Sequence, residues 1–183
     1  MEYKLRKNPL FSACGLNCGL CSRYYTDGES RCPGCGGAGF SSVHCSCSIL
    51  GCCERHGVEY CFQCAEFPCK KYEGVDESDS FITHLHQFKD MDRAKRDLET
   101  YEAELAEKVR ILEDLLAHYN DGRRKSLFCT AVNLLELQDV KQVMEQIKTQ
   151  TAPGDPIKEK AKIAAERFQT MADQRDISLK LRK

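Results

Sequence analysis

Apolar positions follow two different rhythms along this chain. After residue 80 they recur every three or four positions, and before residue 72 they have no regular period. Leu98, Tyr101, Leu105, Val109, Leu112, Leu116 and Tyr119 form one stripe, which predicts a long helix. Asn120-Asp121-Gly122 stops it, since Gly or Asn suits a left-handed cap. The strongly charged stretch Lys89–Asp97 is expected to interrupt the helical pattern upstream, and Ser78, Asp79 or Ser80 can cap its start. A second helix is predicted over Arg124–Leu135, with Leu127, Phe128, Ala131, Val132 and Leu135 on one broad face. A third starts at Val140, capped by Asp139, and carries Val143, Met144 and Ile147. TAPGDP breaks the chain at 151–156. Asp155 as N-cap and Pro156 in the first turn then open a fourth helix, whose stripe is Ile157, Ala161, Ala164, Phe168 and Met171.

The first third reads differently. Twelve of the thirteen cysteines lie between Cys14 and Cys69, in the runs CGLNCGLC, CPGC, CSCSILGCC and CFQCAEFPC. Gly and Pro separate them, in pieces too short for long helices, and GCGGAGFSS from Gly34 to Ser42 is expected to be a mobile loop. Phe11, Tyr24, Tyr25, Phe40, Tyr60, Phe62, Phe67 and Tyr72 supply enough aromatic surface for a small core. That favours a folded module over a disordered thiol buffer. Residues 73–80, EGVDESDS, read as an acidic linker.

Two thiolates separated by two residues can turn back on one ion, and Cys18–Cys21, Cys32–Cys35 and Cys61–Cys64 all have that spacing. In CPGCG the proline fixes the turn and the glycines let backbone N–H groups approach the sulfurs. Cys14, Cys45, Cys47, Cys52 and Cys69 are the expected completing ligands. At four ligands per structural site, this set predicts about two to three tetrahedral ions. Which cysteines share an ion is open, as is ligation by His44, His56 or Cys53. His84, His86 and His118 need no special role, and Cys129 sits on an apolar face as a small hydrophobe.

Disulfides are the competing use of so many cysteines. The start MEYKLRKNPLFSACG has no apolar run fit for a signal peptide, the cysteine total is odd, and the pairs have metal-ligand spacing. A cytoplasmic, reduced protein is expected, and no stretch could span a bilayer. Zinc is favoured over iron, with a [4Fe-4S] cluster as the alternative, because four thiolates hold either. Cys14, Cys18 and Cys21 have the CxxxCxxC spacing of radical S-adenosylmethionine enzymes, but that chemistry needs a partial barrel and no succession of strands follows.

The formal net charge is -1, unevenly spread. Residues 1–70 carry 7 basic and 6 acidic groups, residues 71–122 carry 7 and 14, and residues 123–183 carry 13 and 8. Metal-bound thiolates would make the first segment negative, which disfavours nucleic acid as a partner. No phosphate-binding glycine loop, HExxH or GxSxG is present, and no His/Glu pair near the cysteines looks like a catalytic base. An enzyme is therefore not the expected reading.

The order CGLNCGLC, CPGC, then CSCSILGCCERHGVEYCFQCAEFPC resembles the domain-of-unknown-function family 3795 of bacteria and archaea. Cys14, Cys18, Cys21, Cys32, Cys35, Cys47, Cys52, Cys61, Cys64 and Cys69 fall on the family's cysteine positions. Gly57-Val58-Glu59 and Phe67-Pro68-Cys69 match its non-cysteine signature. The resemblance covers roughly residues 12–72 and implies metal binding, with zinc as the metal; it names no substrate. Cys45 stands one residue closer to Cys47 than the pattern has it, and Cys53 replaces a small residue, which marks it as a spare thiol.

The expected fold is thus a small metal-stabilised Cys-rich module of short helices and knuckles over residues 1–72, the linker at 73–80, and an all-α antiparallel helical bundle over 81–183. The expected function is a cytosolic multi-site metal-binding protein, with helices that engage a still unknown protein partner. An iron–sulfur protein for electron or sulfur transfer is the alternative.

Overall fold

The structure is a computed structural model that describes residues 3–183. It is all-helical, with no strand among the described residues. Seven α-helices follow in order: α1 (Phe40–Val43), α2 (Ser48–His56), α3 (Gln87–Arg96), α4 (Leu98–His118), α5 (Lys125–Leu134), α6 (Leu137–Gln150) and α7 (Ile157–Gln174). Three single 3-10 turns lie at Cys18–Leu20, Cys61–Gln63 and Lys70–Tyr72. No helix among the described residues is long and apolar enough to cross a membrane.

The chain forms two compact units, Met1–Leu105 with Arg182–Lys183, and Ala106–Leu181. They part inside α4, so the Glu73–Ser80 segment lies within the first unit. Asp79 helps to explain why that segment is ordered. Its carboxylate accepts hydrogen bonds from the His84 amide at 2.8 Å and from the Arg182 guanidinium at 2.8 Å. The N-cap expected at residues 78–80 is therefore used by a turn, and helix begins only at Gln87.

In the first unit Phe11 is the fully buried centre, with the rings of Tyr101 at 4.8 Å and Tyr60 at 5.2 Å. Leu20, Leu50, Phe40, Met91 and Ala94 are buried in the same unit. Phe67 and Tyr72 pack on Phe88 of α3. The core of the Cys-rich part thus draws on α3 and the start of α4, beyond its own aromatics. A polar chain runs inside it: Tyr101 donates to Asn17 at 2.8 Å, and Asn17 donates to Asp90 at 2.9 Å. The charged stretch upstream of Leu98 is itself helical. The break is the single residue Asp97, whose carboxylate accepts from the Thr100 amide and hydroxyl and so starts α4.

In the second unit the apolar stripes meet as the periodicity predicts. Val109, Leu112 and Leu115 of α4, Phe128 to Leu134 of α5, Val140, Val143, Met144 and Ile147 of α6, and Ala161, Ala164, Phe168 and Met171 of α7 are all buried. α7 packs on both α5 and α6, and its buried alanines, Ala161, Ala164 and Ala165 among them, allow close approach. The Phe128 and Phe168 rings lie 6.0 Å apart. Three details differ from the pattern. Leu115, not Leu116, is the fully buried partner, because the stripe drifts around the helix. Ile157 is 41 % exposed, since it stands in the first turn before the stripe closes on its neighbours. Asp139 lies inside α6 rather than before it, and binds Arg175 through both carboxylate oxygens at 2.9 and 2.5 Å.

Candidate functional site

None of the thirteen cysteines is joined in a disulfide. Twelve belong to the first unit, and most of those fall into two neighbourhoods. The first gathers Cys14, Cys18, Cys21, Cys32, Cys35 and Cys47. Cys18 lies within electrostatic reach of Cys35, Cys14, Cys21 and Cys32, and Cys14 within reach of Cys35 and Cys47. Local backbone geometry explains the convergence. Cys18 and Cys21 bracket a 3-10 turn closed by the Cys21 amide on the Cys18 carbonyl. The Cys32–Cys35 knuckle is pinned by the Cys35 amide, which donates to the Pro9 carbonyl at 2.9 Å. Gly34 between them has φ +86°, and a Cβ there would meet the Pro9 carbonyl oxygen at 2.4 Å. Glycine is required at that place. The Gly34–Ser42 stretch, expected as a loop, is held by this contact and by α1, and the Arg6 amide donates to the Gly36 carbonyl.

The second neighbourhood borders a cavity of about 30 Å³, lined by Cys52, Cys53, His56, Cys61, Cys64 and Cys69 together with Phe67 and Tyr72. α2 supplies Cys52, Cys53 and His56, and the turn at Cys61–Gln63 supplies Cys61. Gln63 organises that turn by accepting the Glu59 and Tyr60 amides on its side-chain oxygen. Cys53 Sγ and Cys61 Sγ are 3.4 Å apart. Cys45 is exposed, and its thiol lies 3.8 Å from Nδ1 of the adjacent His44, whose ring stacks on Phe40.

Burial governs the electrostatics. Loss of water pushes the Cys14 thiol up to about 12 despite the hydrogen bond with Ser12, and it pushes Cys18, Cys21 and Cys35 up as well. Cys61 moves the other way, because the hydrogen bond with Cys53 favours its thiolate, and Cys53 rises in return. Arg6 is a buried cation in this environment. Its side chain is only 4 % exposed, pairs with Glu59 at 3.0 Å, donates to the Phe11 carbonyl at 2.8 Å, and its charge lies near Cys35. Tyr72 lines the cavity beside Cys61 and donates its hydroxyl to the Cys14 carbonyl at 3.5 Å, so it touches both neighbourhoods.

A thiolate shielded from water needs a cationic partner, and this all-sulfur donor set suits a soft divalent ion. Among the described residues, however, no three His, Cys, Asp or Glu side chains converge closely enough to hold a metal. Several of the thiols pack instead in or against the apolar core around Ala13, Phe40 and Leu50, and Cys53 meets Cys61. The donors fit by type and neighbourhood, and a bound ion would have to draw them together.

Residues 10–74 match the family described as Protein of unknown function (DUF3795). The Cys-rich segment belongs to this family. The DUF3795 match ends before α3, so the helices from Gln87 onward lie outside it. No curated protein and no solved structure matches the chain.

Several residues at the DUF3795 segment carry no signal in the cysteine spacing. Arg6 precedes the pattern and is fixed by the Phe11 carbonyl at 2.8 Å. Ser12, whose hydroxyl lies 3.1 Å from Cys14 Sγ, is one small polar residue among many. Cys53, read as spare, lies 3 % exposed against Cys61, a meeting that depends on how the chain returns after α2.

Proposed function

We propose that the Cys14–Cys69 segment is a multi-site metal-binding module and that its ion is zinc. The observation that carries this reading is the collection of free thiols from separated chain positions into two shielded neighbourhoods. Cys14, Cys18, Cys21, Cys32, Cys35 and Cys47 would serve the first, and Cys52, Cys61, Cys64 and Cys69 the second. Cys45, exposed beside His44, is the weakest member of the ligand set expected from the sequence. Bound zinc would neutralise the thiolates and add its binding free energy to the folding of this segment. The ten proposed ligands, at about four per site, would hold about two to three ions per chain.

Anaerobic purification of the full chain, followed by metal analysis, thiol counting and a visible spectrum, tests the proposal. The expected result is a colourless protein with zinc at that ratio. Fully reduced, folded protein that stays metal-free when zinc is offered would overturn it. A brown absorption that bleaches with dithionite would assign an iron–sulfur cluster to the same thiols.

A further inference from the structure

Cys53 and Cys61 come from different elements and meet with their sulfurs 3.4 Å apart. A disulfide bond is about 2.05 Å long, so each sulfur needs to move by only about 0.7 Å to form one. The backbone on both sides is held. Cys53 sits in the last turn of α2, where its carbonyl accepts the amides of Gly57 and Val58. The Cys61 amide donates to the Ala13 carbonyl at 2.9 Å, and the Gln63 side chain clamps the residues just before it. Cys61 is half-buried and Cys53 is buried, and both line the same small cavity. A small oxidant entering that cavity therefore meets Cys61 with a second thiol already behind it.

We propose that Cys53 and Cys61 are a redox-active dithiol that closes to a disulfide on reaction with hydrogen peroxide. Cys61 as thiolate attacks one peroxide oxygen, the O–O bond breaks, and Cys61 becomes a sulfenic acid as the other oxygen leaves as water after protonation. The Cys53 sulfur then attacks the Cys61 sulfur, the S–O bond breaks, and a second water leaves. The two thiols lose two protons and two electrons, and the hydrogen peroxide is reduced to two waters. The dithiol stands on this geometry alone. One consequence rests on the zinc reading: closure removes Cys61 as a ligand, so oxidation releases zinc from the second neighbourhood.

The test treats the full chain with stoichiometric hydrogen peroxide, blocks remaining thiols, and maps cross-links by tandem mass spectrometry while a chromogenic chelator reports free zinc. The expected product joins Cys53 to Cys61, reverts with dithiothreitol, and survives in Cys52→Ser. In Cys53→Ser the cross-link is absent and Cys61 carries added oxygen instead. Disulfides that join Cys61 to Cys64 or Cys69, or Cys53 and Cys61 both still alkylated while other thiols are oxidised, would overturn the proposal. These readouts use chemical mapping, so they hold even if Cys53→Ser folds poorly. A Cys53–Cys61 cross-link in folded protein that takes up no zinc when zinc is offered would defeat the metal reading and leave the dithiol standing. A cross-link with no zinc released from zinc-loaded protein would overturn the release step.

Discussion

At Gly34 the local chemistry of the knuckle meets the rest of the unit. Its φ is positive, and the Pro9 carbonyl oxygen stands 2.4 Å from where a Cβ would sit, which leaves no room for a side chain. Gly34→Ala is therefore expected to destabilise the first unit by about 1–3 kcal/mol, through strain and displacement of the Pro9 backbone. Gly154→Ala, where a Cβ meets nothing within 4 Å, should leave stability nearly unchanged. Chemical denaturation of both variants checks the contrast. Asp79 gives a pH signature. Burial pushes its carboxyl upward, but hydrogen bonds from Arg182 and the His84 amide outweigh this and hold it at about 2, below the usual 3.8. A depressed folded-state value means the contribution is complete above about pH 4 and is lost as pH falls toward 2. Hydrogen exchange at the His84 amide should accelerate over that window, and in Arg182→Gln the acceleration should begin at higher pH. An unchanged profile in the variant would show that Arg182 does not hold the carboxylate.

The helices of the second unit show how a stripe becomes a packed element. α5 is apolar almost all round and is buried from Phe128 onward, so its carbonyl end needs an internal donor. Lys108 of α4 supplies one, with Nζ 2.6 Å from the Leu135 carbonyl and 3.4 Å from that of Asn133. Lys108→Met keeps the stem but removes the donor, and should cost about 1–3 kcal/mol by leaving those carbonyls short of partners. Phe168→Ala removes the ring that packs on Phe128, and a loss of about 3–5 kcal/mol is expected for so large a buried side chain. Guanidinium unfolding followed by circular dichroism reads both. If Phe168→Ala costs under about 1 kcal/mol, α7 is not held by this contact.

At the scale of the whole molecule the two units should answer metal removal differently. The proposed ligands all lie in Met1–Leu105, while the buried stripes of α5, α6 and α7 lie in Ala106–Leu181. Chelation is expected to raise hydrogen exchange across Cys14–Cys69 by at least about tenfold and to leave α5 to α7 protected. Mass-spectrometric exchange with and without chelator measures this peptide by peptide. Loss of protection in α5–α7 at the same rate would show one cooperative unit whose folding depends throughout on the thiols.

The sequence by itself determined the existence of the later helices and the bounds of α5, because a 3.6-residue repeat and its stop signals are local properties. The predicted stop at Asn120–Gly122 follows the observed end of α4 at His118, and α5 starts one residue from its predicted place. It also determined the DUF3795 segment, since order and spacing of cysteines are read directly from the chain. Tertiary structure decided what spacing cannot encode. It brought Cys53 to Cys61, set Arg6 near Cys35, and left Cys45 exposed beside His44. It also tied the acidic Glu73–Ser80 stretch into the first unit through Asp79 and Arg182, residues 103 positions apart. Each of these depends on a chain reversal or a long-range contact, and its free energy comes from burying and pairing groups that no local window contains.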